Sequence, residues 1–229
     1  MKTIIITGGN GNLGLAVTQK FLASGYNVVA TVINEEAKKE LPVHKNLQVE
    51  AIDLTSEVAT GAFIDSVRKR YKSIDAAAML VGGFAAGNIG MTDGAAIQKQ
   101  ISLNFNTAYF ISRPLFDHMI KNGQGRLIYI GARPALNPQQ GKELLAYSLS
   151  KSLLFKLAEF LNEEARGKNI TATVVVPSTI DTLANRKAMS DLDPADWVTP
   201  GQLSDVLEWI VSDRASALRE PVLKVYNNS

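Results

Sequence analysis

The sequence predicts a single doubly wound α/β domain, a mostly parallel sheet of about seven strands with helices on both faces, spanning residues 1–229. Three observations predict it. Short β-branched runs alternate with longer amphipathic stretches along the whole chain. Several runs, such as Thr173-Val174-Val175-Val176, are continuously apolar, as strands buried on both faces are. The first run passes straight into a glycine-rich turn and then a helical pattern, the setting in which an α/β sheet binds its ligand.

In chain order, strands are expected at Thr3–Thr7, Val28–Val32, Leu47–Ala51, Ala76–Val81, Leu127–Ile130, Thr171–Val176 and Val222–Val225. Helical periodicity covers Leu13–Ala23, Val58–Tyr71, Ala95–Met119, Leu144–Ala165 and Leu203–Val211. Gly25 and Gly167 supply the left-handed residue that closes the first and fifth helical stretches. Pro114 lacks a backbone donor, so the Ala95–Met119 helix should bend or split near it. The long irregular stretches, Gly82–Gly94, Gly131–Lys142 and Pro177–Pro200, each follow a strand.

Composition narrows the function. The 229 residues are 46% hydrophobic, enough for a sizeable core. The apolar run Ile4-Ile5-Ile6 is too short for a signal segment or a membrane span, so a cytoplasmic protein is expected. The chain has no cysteine, which removes disulfides and thiolate metal sites. His44 and His118 stand far apart, and no metal site is expected. A net charge of +2, with scattered bases, gives no electrostatic case for nucleic acid.

Three segments carry chemistry. Thr7-Gly8-Gly9-Asn10-Gly11-Asn12-Leu13-Gly14 lies between a strand and a helix, where glycines bring backbone N–H groups and a helix N-terminus to a pyrophosphate. The end of the second strand carries neither the acid that reads a ribose hydroxyl nor a base for a 2′-phosphate, so NADH and NADPH are both open. In Tyr147-Ser148-Leu149-Ser150-Lys151, a spacing of four puts phenol and ammonium on one helix face. The cation is expected to lower the phenol's pKa and equip Tyr147 for proton transfer.

The glycine turn and the Tyr-x-x-x-Lys pair together resemble the short-chain dehydrogenase/reductase family, with Asn12 where its middle fingerprint glycine stands. The resemblance implies a Rossmann-type domain, an NADH or NADPH cofactor and a small-molecule substrate. It implies cofactor contacts from Gly8, Asn10, Gly11, Asn12, Leu13 and Gly14, from Lys151 and Tyr147, and from Gly82 and Gly83 after the fourth strand. Asp53-Leu54 resembles the acid that meets the adenine amino group; an N-cap for the next helix is the alternative. Pro177, Ser178, Thr179 and Thr182 resemble the carboxamide-binding segment, and Asn104 the asparagine that completes the proton path, with Asn106 as competitor.

Ala132 stands where that family has its catalytic serine. The dihydropteridine reductase branch lacks this serine too, and Gly82-Gly83-Phe84-Ala85-Ala86-Gly87-Asn88, Gly131-Ala132-Arg133 and Asp181–Met189 with Trp197 resemble its loops. This resemblance implies reduction of a quinonoid pterin or similar flat imine or carbonyl, with a pocket containing Phe84, Ala132, Asn185 and Trp197. Asn185, Arg186 and Lys187 can equally order their loop, and Phe84 and Trp197 can be core. Reduction of another carbonyl or quinone, and a non-catalytic dinucleotide sensor, are the competing readings. The family's habit of pairing through helices after the fourth and fifth strands implies a homodimer or homotetramer.

Overall fold

The computed structural model describes residues 1–228. Its strands are β1 (Thr3–Thr7), β2 (Asn27–Val32), β3 (Leu47–Ala51), β4 (Ala76–Met79), β5 (Gln124–Ile130), β6 (Asn169–Pro177) and β7 (Val222–Val225). They form one parallel sheet in the order β3-β2-β1-β4-β5-β6-β7. The order reverses between β1 and β4, which opens a crevice at the carboxyl ends of those two strands.

Alternation along each strand fills two cores. Ile5, Ala77, Leu127, Tyr129, Val174 and Val176 face one helical layer, built from α2 (Glu57–Arg70), α4 (Thr107–Asn122) and α6 (Leu145–Glu164). Ile4, Ile6, Ala78, Ile128 and Val175 face the other, built from α1 (Asn12–Ala23) and α8 (Pro200–Val211). Tyr129 is fully buried among them, its hydroxyl 2.8 Å from Ser112 Oγ, so the buried polar atom keeps a partner.

Helix ends follow the local chemistry. Gly25 and Gly167 are left-handed at φ +79° and +80°, as expected, and Gly123 closes α4 in the same way at +76°. Ser56 caps α2. Pro200 opens α8 behind a Thr199–Gln202 capping box, so α8 begins three residues before the apolar periodicity does.

Two expectations change. α4 runs through Pro114 without a break, because Ile111, Leu115 and Phe116 clamp it into the core. The irregularity falls instead between α3 (Gly94–Ile101) and α4, where Ser102–Asn106 form a π-helical turn. Two stretches expected to be irregular hold short helices, α5 (Pro138–Gly141) and α7 (Leu183–Ala188), started by the side chains of Asn137 and Thr182.

Candidate active site

The crevice between β1 and β4 holds a cavity of about 320 Å³, lined on one side by Gly8, Asn10 and Gly11 and on the other by Leu80, Val81 and Gly82. Thr7 Oγ1 stitches the two strand ends together by accepting from the N–H groups of Leu80 (2.9 Å) and Val81 (3.2 Å). The turn between β1 and α1 admits no side chain at its crossing. A Cβ on Gly14 would lie 2.0 Å from the Gly8 carbonyl oxygen, and Gly8 itself is left-handed at φ +67°. Gly11 takes the N-cap position with no side chain capping it, Asn12 is the first helical residue, and no acid occupies the first turn. The first N–H groups of α1 are thus left uncapped by any side chain, with no acid in the helix's own first turn, as anion binding at a helix start requires. Leu13 packs on the core behind the turn.

The far end of the cavity is formed by Thr31, Val32, Ile33 and Asp53 to Thr55. Asp53 Oδ1 accepts from Thr55 N–H at 2.9 Å and from its hydroxyl, which holds the carboxyl below its usual range. Since Ser56 caps α2, Asp53 serves no helix and keeps its exposed carboxylate at the cavity edge beside buried Leu54. A larger surface hollow of about 610 Å³ lies over the solvent side of α2 at Ala62, Asp65, Ser66, Lys69 and Arg70. It is shallow and contains none of the strand-end residues.

Beyond Gly82, outside the cavity's lining, lies the titratable pair. Lys151 is buried on α6 and donates to the Ile130 carbonyl at 2.8 Å, and burial lowers its pKa to about 8. Tyr147, one turn earlier, is half-buried; desolvation pushes its phenol up to about 12. This is the reverse of the lowering expected from sequence. Dehydration outweighs the neighbouring charge, whose ammonium is directed at Ile130.

Asn104 sits in the π turn, 1% exposed, with Oδ1 accepting from Gly83 N–H (2.8 Å). Its Nδ2 reaches Gly83 O (3.0 Å), Gln100 Oε1 (2.8 Å) and Ser150 Oγ (3.0 Å), and Ser150 in turn donates to the Tyr147 carbonyl (2.7 Å). Asn106 is only partly buried and lies outside this cluster. A Cβ on Gly82 would stand 2.7 Å from Asn104 Oδ1 and 3.1 Å from Lys151 Nζ, so a glycine there lets these two groups converge. Gln100 and Ser150 escaped the sequence reading; the four-residue step from Gln100 to Asn104 was the available signal.

Loops close over this end. Phe84, 68% exposed, sets its ring 5.3 Å from that of Tyr147 at 61°. Gly87 bonds in both directions to the start of α6, its N–H to Glu143 O and its carbonyl from Leu145 N–H, both 2.9 Å. Ala132 is buried with no hydroxyl to offer, while the Ser148 hydroxyl is buried without a partner.

After β6, Pro177 ends the strand and Ser178 donates its hydroxyl to Tyr226 O at 2.9 Å. The Thr179 carbonyl accepts from Val198 N–H, and Thr182 caps α7. Asn185 donates to Ile180 O at 2.8 Å, and Arg186 pairs with Asp181 at 2.7 Å. Trp197 is 4% exposed, its carbonyl held by Asn227 at 3.0 Å. The amide of Asn185 and the ring of Trp197 thus anchor the segment.

Several known proteins resemble this chain in sequence or in fold. A dihydropteridine reductase of Dictyostelium discoideum is 26% identical over 212 residues, covering 91% of this chain and 87% of that protein. The 3-oxoacyl-acyl-carrier-protein reductase MabA of Mycobacterium bovis is 27% identical over 233 residues, covering 98% and 91%. The solved structure of ElxO with NADP bound superposes with a TM-score of 0.90 at 22% identity, covering 98% of this chain and 96% of that one. A family model described as short chain dehydrogenase matches residues 2–193, and the chain belongs to that family of nicotinamide-dinucleotide-dependent oxidoreductases.

Proposed function

We propose that the chain is a reductase of a quinonoid dihydropterin or a similarly flat imine or carbonyl, with Tyr147 as proton donor. The observation that carries this reading is the site's donor set. The position after β5 is Ala132, buried and without a hydroxyl, and the groups left beside the crevice are an un-ionised phenol and a buried ammonium. A phenol held up to about 12 keeps its proton at neutral pH, the state a reduction needs.

The crevice suits a dinucleotide, since Gly14 allows no Cβ and the first α1 N–H groups are left uncapped by any side chain. Gly8, Asn10, Gly11, Asn12, Leu13 and Gly14 would hold its pyrophosphate, Asp53 and Leu54 its adenine, and Gly82 and Gly83 would give it backbone to lie against. Pro177, Ser178, Thr179 and Thr182 would meet the carboxamide, and Tyr147 and Lys151 the nicotinamide ribose. The reduced nicotinamide, when bound, supplies the hydride.

Within the protein, Lys151 and the Asn104–Ser150 pair fix the turn of α6 that carries Tyr147. Tyr147 gives up its phenolic proton to the substrate, and Lys151, with a pKa of about 8, would supply the proton that restores it. Phe84 covers the phenol and offers an aromatic face to a flat substrate, while Ala132 leaves room for it; Asn185 and Trp197 hold the far wall. The similarity to a protein named dihydropteridine reductase supports this reading, and that to an acyl-carrier-protein reductase supports a different carbonyl substrate as the second.

The test is turnover of purified protein with each reduced cofactor and quinonoid dihydropterin. Cofactor oxidation that drops about a hundredfold or more in Tyr147→Phe is expected, the range of a lost general acid. Turnover only with another carbonyl or a quinone would favour the second reading. Cofactor binding without turnover, unchanged in Tyr147→Phe, would leave a sensor.

Exposed Tyr109 on α4 and Leu149, Leu153 and Phe160 on α6 form the surface through which we propose the chain pairs as a homodimer or homotetramer. Among the described residues no helix is long and apolar enough to cross a membrane.

A further inference from the structure

We infer that the site prefers the dinucleotide without a 2′-phosphate, NADH, and that Glu40, held by Asn10, sets the preference. The inference rests on the dinucleotide reading of the crevice and goes one step beyond it. Val32 and Ile33, at the end of β2, can neither accept a ribose hydroxyl nor neutralise a phosphate through their side chains. No lysine or arginine lines the cavity. Asp53, the one charged residue of the lining, has its Oδ1 taken by Thr55 N–H and hydroxyl, and a second carboxylate reaches this end from outside the lining.

Residues Glu36–Glu40 form a 3₁₀ helix that the fold locks against the glycine turn. Asn34 Oδ1 caps it at Ala37 N–H (2.9 Å), Ala37 and Leu41 are buried, and the Leu41 side chain reaches within 3.4 Å of where a Cβ on Gly9 would stand. Its last residue, Glu40, accepts from Asn10 Nδ2 at 3.2 Å, and Asn10 lines the cavity. The bases of the same segment are occupied, Lys38 with Glu35 at 2.9 Å and Lys39 with Glu36 at 2.7 Å. Glu35, Glu36 and Glu40 against Lys38 and Lys39 leave the segment one acid in excess, and Glu40 is the carboxylate tied to the turn.

A ribose 2′-hydroxyl is a donor that a carboxylate can accept. A 2′-phosphate brings about two negative charges and needs cations in its place. Because the Glu40 side chain is exposed, its repulsion is screened, and its effect belongs to the range of a surface charge pair.

The experiment is a fluorescence titration of the intact protein with NADH and with NADPH, for wild type, Glu40→Gln and Glu40→Lys. Wild type should bind NADH about tenfold tighter or better. Glu40→Gln should narrow that ratio about two- to fivefold, weakening NADH and tightening NADPH, and Glu40→Lys should narrow it further or invert it. Wild type that holds NADPH as tightly as NADH, or a ratio that neither variant moves, overturns the inference and leaves the dinucleotide reading standing. A folded wild type, checked by circular dichroism, that binds neither cofactor overturns both.

Discussion

The rings of Phe84 and Tyr147 meet edge to face, 5.3 Å between centres, although they come from loops and helices more than sixty residues apart. The contact places an exposed aromatic directly on the proton donor. Phe84→Ala should raise KM for an aromatic substrate about three- to tenfold, the size of a lost aromatic pair. Phe84→Trp should stay near wild type. Steady-state kinetics of both variants check this, and an unchanged KM in Phe84→Ala would remove Phe84 from the substrate's surroundings.

Lys151 makes activity pH-dependent in a direction its depressed pKa defines. A free lysine holds its proton to about 10.4. This one loses it near 8, because burial disfavours the charged form. The ammonium is present below that value and disappears above it, so kcat/KM should fall as pH rises through about 8. A profile flat to pH 10 would show that the ammonium is not required.

Gln100 acts on Tyr147 through two intermediaries, Asn104 and Ser150. Gln100→Leu should lower kcat about three- to tenfold, the order of one buried hydrogen bond, with a smaller change in cofactor affinity. Ser150→Ala should do the same. Because both cut one chain, the double variant should lose less than the product of the two, and kcat values for the three proteins close the cycle.

His118 couples stability to pH. It is buried, Ile74 N–H donates to its Nε2 at 3.3 Å, and desolvation followed by the nearby Arg68 charge lowers its pKa. With the folded value below the unfolded 6.5, the unfolded chain takes the proton first. The neutral ring's stability is therefore present above about 6.5 and lost as pH falls through the folded value. Replacing an accepted hydrogen bond by a second donor costs about 1 kcal/mol. A Tm drop of about 2–4 °C between pH 7 and 5 that is absent in His118→Gln is the expected melting result.

Strand positions were legible in the sequence because continuous apolar runs report burial, as fully buried Thr3–Thr7 illustrates, and because period-two alternation marks an edge strand such as Leu47–Ala51, whose bounds match although its residues are only partly buried. Pro114 misled because a helix's tolerance of proline depends on what clamps it, and no local pattern encodes that. The π turn at Ser102–Asn106 was invisible for a related reason: its extra residue is stabilised by Asn104 reaching Gly83 and Ser150, contacts made across the fold. Tyr147 and Lys151 were found by their spacing, whereas the direction of the phenol's shift required knowing how deeply the pair is buried.

The reciprocal bonds of Gly87 with Glu143 and Leu145 bear on how this protein can be re-engineered. They sew the 82–94 loop to the chain just ahead of Tyr147, so the two segments behave as a single heritable module. Grafting a foreign loop into positions 82–94 alone would unpick that seam and blur the alignment of the proton donor, while exchanging residues 82–94 and 141–147 together would carry the seam across intact.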